Sequence, residues 1–112
     1  MATRINRQWR VASRPAGLIR ESDFTFGEET VPSLIPGQIL VRNVYLSLDP
    51  TNRPWMNEAP GYMPSLALGE VMRGIAVGVV EESRDDGFQP GELVQGLLGW
   101  QDYTVTEASA LA

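Results

Sequence analysis

Few residues in this chain can do covalent or acid–base chemistry. The 112 residues contain no Cys and no His, and all nine basic residues are Arg. Lack of Cys and His removes the thiolate nucleophile, the disulfide framework and the usual ligands of zinc. Lack of His also removes the commonest general base, and lack of Lys rules out a Schiff base. No metal site is expected. Acid–base work therefore falls to a carboxylate or to Tyr45, Tyr62 or Tyr103. Tyr62 lies in the loop Pro60-Gly61-Tyr62-Met63-Pro64, a setting unlike a core position. A phenol with a reference pKa of about 10 keeps its proton near neutrality and can donate it to a developing enolate. Its structural alternative is a packing or surface tyrosine.

Two other stretches combine polar and aromatic groups. In Tyr45-Leu46-Ser47-Leu48-Asp49-Pro50-Thr51-Asn52-Arg53, an apolar strand runs into a turn. Asp is a good N-cap and Pro suits the first helical position, so a short helical turn should present Thr51 and Asn52. Asp49 and Arg53 are read as a cap and its ion-pair partner. Gly99-Trp100-Gln101-Asp102-Tyr103 offers aromatic groups that either wall a pocket or close a small barrel. Gly69, Gly74 and Gly78, and likewise Gly91, Gly96 and Gly99, match neither the dinucleotide fingerprint nor the P-loop. Barrel corners and close backbone approach explain them better.

The elements that must position these groups read as strands. Period-two or strongly apolar runs cover Asn6 to Ser13, Asp23 to Val31, Gln38 to Leu48 and Val71 to Glu82. Shorter strands follow at Leu93-Val94 and near Gln101 to Thr106. Trp9 and Val11 share one face of the first strand. On the Val71 to Glu82 strand, Met72, Gly74, Ala76, Gly78 and Val80 form a small-residue face suited to a crowded barrel interior. Eleven Gly and eight Pro, with a turn signal every few residues, indicate a mainly β protein. The length suits one domain, 1–112, with one core. A net charge of -5 argues against nucleic-acid binding. No run is long and apolar enough for a transmembrane helix, no signal peptide is evident, and a cytoplasmic location is expected.

Together these stretches resemble one family. Tyr45-Leu46-Ser47-Leu48-Asp49-Pro50, Leu68-Gly69-Glu70-Val71-Met72, Gly99-Trp100-Gln101-Asp102-Tyr103 and the opening Asn6-Arg7-Gln8-Trp9 are similar to the N-terminal domain of zinc-independent medium-chain dehydrogenase/reductases. The branch is that of prostaglandin reductases, alkenal/one oxidoreductases and curcumin reductases. The resemblance implies a GroES-like barrel with short helical turns, forming the substrate-side half of an NADPH-dependent reductase. Members reduce the activated C=C of enones and enals: hydride goes to the β-carbon and a proton to the α-carbon. Curcumin-reductase-like members have a proposed tyrosine donor about eleven residues beyond the Asp-Pro step, and counting from Thr51 reaches Tyr62. In the family the turn after this Asp-Pro step faces the nicotinamide, so the resemblance implies Thr51 and Asn52 as cofactor neighbours. Trp55 and Trp100 would supply apolar walls for the substrate.

The chain departs from the common Asp-Pro-Tyr-Met-Arg-Gly pattern. Thr51 and Asn52 replace Tyr and Met, and Pro54 replaces Gly. The family's dinucleotide-binding half should follow the matched region, so 1–112 is expected to be a catalytic-domain fragment, inactive alone. Exposed apolar surface is expected to favour a homodimer. The other reading is a non-enzymatic β-barrel that binds a small molecule or a partner. A strand followed by a glycine-rich phosphate turn beyond Ala112 in the gene would exclude it.

Overall fold

The computed structural model describes residues 4–48, 52, 56 and 67–111. Among the described residues, six strands form two antiparallel sheets. Strands β1 (Ile5–Val11) and β2 (Phe24–Thr30) make a two-stranded ribbon. Strands β3 (Gln38–Leu46), β4 (Ala76–Ser83), β5 (Leu93–Gly96) and β6 (Tyr103–Glu107) make a four-stranded sheet in the order β5-β4-β3-β6. Short 3-10 turns occupy Glu21–Asp23 and Ala108–Ala110, and Asn52 is helical. The mainly β expectation holds. No helix among the described residues is long and apolar enough to cross a membrane.

The core follows the apolar runs. Ile39 and Val41 of β3, Ala76 and Val80 of β4, Val94 of β5 and Leu98 bury together, with Phe88 and Leu111 packed against them. On β4 and the segment before it, Met72, Gly74, Ala76, Gly78 and Val80 are the buried face, as their small sizes lead one to expect. Gly78 shows why size matters there. A Cβ on it would run into Val41 Cγ1 and sit 2.7 Å from the Arg42 carbonyl oxygen, so β3 and β4 meet only over a bare Cα.

Two features differ from the sequence expectation. The strand read as Val71 to Glu82 begins only at Ala76. Residues before it pair only through one isolated bridge, and their backbone bonds go to β1 and to the loop before β6: Met72 N donates to Trp9 O at 2.8 Å, and Gly99 N donates to Gly74 O at 3.0 Å. The barrel also stays open among the described residues. The ribbon joins the rest through isolated bridges, Gln8 to Gln101 and Arg10 to Val71, instead of a continuous ladder.

Strand β3 changes character along its length. Ile39, Leu40 and Val41 are buried in succession, whereas Val44, Tyr45 and Leu46 are exposed in succession. A bulge between Asn43 and Tyr45 leaves Val44 outside the ladder with β4. Beyond Arg42 the β6 side of β3 has no strand partner among the described residues: Asn43 N instead donates to Asp102 O at 2.8 Å. Bulges of this kind re-aim side chains beside functional sites.

Candidate functional site

The four stretches singled out in the sequence meet at Trp100. Its backbone N donates to Met72 O at 2.9 Å, and its backbone O accepts from Trp9 N at 2.9 Å. Gly99, at φ +82°, supplies the left-handed turn that brings it there. The Trp100 ring stacks on Phe24 with centroids 5.3 Å apart and planes 22° from parallel. Beneath it lie the fully buried Val11, Met56 and Met72. Its indole nitrogen is buried, finds no acceptor among the described residues, and lies against Gly74, where a Cβ would come within 2.7 Å of it. The aromatic residue therefore needs Gly at position 74 to sit flat on the chain.

The turn after β3 is fastened to the same cluster. Asn52 is buried and its Nδ2 donates to the Arg73 carbonyl at 3.2 Å, one residue from Gly74. Met56 packs under Trp100, and Arg14 Nη1 donates to the Met56 carbonyl at 3.0 Å. This bond fastens Asn52 to the backbone beside Gly74. Thr51, Trp55 and Tyr62, and the proposed Asp49–Arg53 cap, lie outside the described residues.

Above Trp100 is a shallow cleft of about 230 Å³, bordered by Trp9, Val44, Tyr45, Leu46, Gly99 and Trp100 and closed at one end by Asn43, Gln101 and Asp102. It is smaller than the ~300–1,000 Å³ of a complete small-molecule site. The described lining holds no arginine. A larger concavity of about 780 Å³, between Arg4, Leu34, Leu40 and Glu82, contains none of the sequence-selected site residues. An Arg4–Glu82 ion pair of 2.7 Å crosses it. We take the smaller cleft as the candidate site, because the motif residues surround it.

Sequence reasoning missed the polar seam behind the cleft. Asn6 and Gln8 of β1 are buried, whereas Trp9 is 45% exposed and packs edge-to-face on Phe26. Trp9 and Val11 still alternate on one side of β1, but only Val11 is covered, by Met56 and Met72. Asn6 Nδ2 and Gln8 Nε2 both donate to Gln101 Oε1, at 2.8 and 3.3 Å. Asn43 Nδ2 donates to Gln101 O at 2.8 Å and Thr104 Oγ1 at 3.1 Å. At the rim, Arg7 and Asp102 form a two-pronged pair of 2.6 and 3.2 Å, which raises the Arg7 pKa chiefly through the hydrogen bond. The available signal was a period-two stripe of amides, Asn6 and Gln8, within a strand.

Comparison with known proteins gives the family and the fold. A family profile described as the N-terminal domain of oxidoreductase matches residues 7–112. The chain belongs to this family. It is 42% identical to the NADPH-dependent curcumin reductase of Escherichia coli over 95% of this chain and 31% of that protein. It is 36% identical to the NADP(+)-dependent 2-alkenal reductase of Nicotiana tabacum, over 89% of this chain and 30% of that protein. The crystal structure of CurA from Vibrio vulnificus superposes with a TM-score of 0.86 at 40% identity, covering 90% of this chain and 30% of that one. Its complex with NADPH gives 0.83. This oxidoreductase N-terminal domain therefore has the GroES-like fold that the sequence implied, and it spans about 30% of the length of these relatives.

Proposed function

We propose that this domain forms the substrate side of an NADPH-dependent reductase acting on the activated C=C bonds of enones and enals. The observation that carries the reading is the convergence of all four motif stretches on Trp100 and its apolar cleft. The relatives named above, whose names are those of NADPH-dependent curcumin and alkenal reductases, support it. Aromatic and aliphatic groups on one side, Asn43, Gln101 and Asp102 on the lining as well, and no arginine among the described lining residues suit a nicotinamide ring and an enone better than phosphates. When bound, NADPH supplies a hydride to the substrate β-carbon. Trp100 and Trp55 wall the enone and exclude water. Thr51 and Asn52 border the nicotinamide, with the Asn52 amide nitrogen anchoring their turn to Arg73. Tyr62 donates the proton to the α-carbon, or a hydrogen bond to the carbonyl, as charge develops there.

The test uses the full-length protein that carries these residues. Enone-dependent NADPH oxidation is expected, and Tyr62→Phe should lower kcat by about 100-fold or more with the KM for NADPH nearly unchanged. Equal losses in kcat and NADPH affinity, or no loss, would remove Tyr62 from the donor role. No turnover of any enal, enone or quinone would overturn the reading itself.

A further inference from the structure

Buried amides are informative because each has a nitrogen that only donates and an oxygen that only accepts. At the seam their orientations are forced from both ends. Arg10 can only donate, and its Nε and Nη2 reach Gln8 Oε1 at 3.0 and 2.6 Å. Gln8 must therefore turn its nitrogen the other way, toward Gln101 Oε1 at 3.3 Å and Glu29 Oε2 at 3.2 Å. The Tyr103 backbone N–H, also a pure donor, takes Asn6 Oδ1 at 2.9 Å. Asn6 must then direct its nitrogen to Gln101 Oε1 as well. With its oxygen taken twice, Gln101 directs Nε2 to the Leu98 carbonyl at 2.8 Å and Thr104 Oγ1 at 3.3 Å. Thr104 Oγ1 lies 2.7 Å from that same Leu98 carbonyl.

Trp100 sits inside the loop so bound, between Leu98 and Gln101, and no member of the chain can reverse its amide without leaving a buried donor facing a donor. We propose that Gln101 is a positioning residue for the substrate. The amide chain Arg10–Gln8–Gln101 sets the angle of the Trp100 ring, and with it the affinity for the enone. This rests on the reading of Trp100 as a substrate wall.

Gln101→Glu in the full-length protein tests it, because a protonated carboxyl keeps a donor toward Leu98 beside an acceptor toward Asn6 and Gln8, and a carboxylate keeps no donor. One oxygen of the introduced carboxyl would face the Leu98 carbonyl and Thr104 Oγ1, which disfavours the charged form and raises its pKa. Charged and titratable groups around it are Arg10, Glu29, the Arg7–Asp102 pair and Tyr103. Arg10 opposes the rise and Glu29 adds to it, each one residue removed behind Gln8. The defect should therefore be absent at low pH and appear as pH rises through the raised pKa. The expected result is an enone KM near that of the unsubstituted protein at about pH 5, and about 5–10-fold higher at about pH 8. The KM for NADPH and kcat should stay within about two-fold, and the unsubstituted protein should lack this pH dependence of enone KM. An enone KM that ignores the substitution at every pH would overturn the proposal.

Should Gln101→Glu fail to fold, Gln8→Met removes one donor from Gln101 Oε1 and leaves Asn6 in place. It should raise enone KM about three-fold, and no change, or an equal loss in kcat, would overturn the positioning role. Near-ultraviolet circular dichroism, with the Trp100 signal taken as the difference between each protein and its Trp100→Phe counterpart, separates this proposal from the functional reading. If the unsubstituted protein reduces no enone, the functional reading fails. A pH-dependent Trp100 signal confined to Gln101→Glu would still support control of the ring by the amide chain, and its absence would refute it.

Discussion

The centre of the four-stranded sheet and the seam behind Trp100 lie beside each other but are held by different forces. In the sheet, Ile39, Val41, Ala76, Val80, Val94 and Leu98 bury against one another. Each large aliphatic side chain removed from water contributes about 1.5–3 kcal/mol, and the gain is nearly indifferent to direction. In the seam, Asn6, Asn43, Gln101 and Thr104 exchange hydrogen bonds between β1, β3, β6 and the loop before β6. Each such bond nets only about 1 kcal/mol, but one left unmade costs about 1–3 kcal/mol. Apolar contact thus supplies stability, and the amides supply register. A site needs the second property more, because an aromatic wall is useful only at a fixed angle.

Three substitutions probe the contrast. Ile39→Ala should be the most costly, at about 2–5 kcal/mol in urea unfolding, since Ile39 is fully buried in the sheet core. A loss below about 1 kcal/mol would mean that the sheet collapses onto the gap and that its core is not the main source of stability. Asn43→Leu should cost about 1–3 kcal/mol, because the Gln101 carbonyl and Thr104 Oγ1 lose their 2.8 and 3.1 Å donor. Unlike Ile39→Ala, it should also alter the near-ultraviolet dichroism of the tryptophans. An unchanged signal would deny the seam its role in register. Trp9→Ala should be mildest, about 0.5–1.5 kcal/mol, for the loss of its edge-to-face contact with Phe26 on an open face. A larger cost than that of Asn43→Leu would reverse the ranking and mark Trp9 as part of the core.

Much of the fold was legible. The runs at Phe24 to Thr30 and Gln38 to Leu46 carry period two or dense β-branched mass, and both are strands. The glycines dismissed as phosphate binders serve close approach and turns: Gly78 lets β3 and β4 touch, and Gly69, Gly91 and Gly99 hold positive φ. The Gly-Trp-Gln-Asp-Tyr setting was legible as an aromatic junction, but not the seat of Trp100 on Phe24 and over Met56 and Met72. Asn52 was legible as part of the turn, but not its burial or its bond to Arg73. The late start of β4 could not be read, since Val71 to Ile75 is as β-prone as the residues after it. Its backbone partners are Trp9 in β1 and Gly99 and Trp100 in the loop before β6.

The sequence by itself determined the alternation of apolar and small residues, the turns, the exclusion of thiol, imidazole and lysine chemistry, and the family. These depend on residue type and near neighbours along the chain. Only the tertiary structure decided that the ribbon meets the sheet through isolated bridges and that the polar face of β1 points inward. Asn6 and Gln101 are 95 residues apart, and polar residues in a strand ordinarily face water. Burial reverses that preference only when every donor finds an acceptor, and those partners exist only once the chain has brought both ends of the seam together.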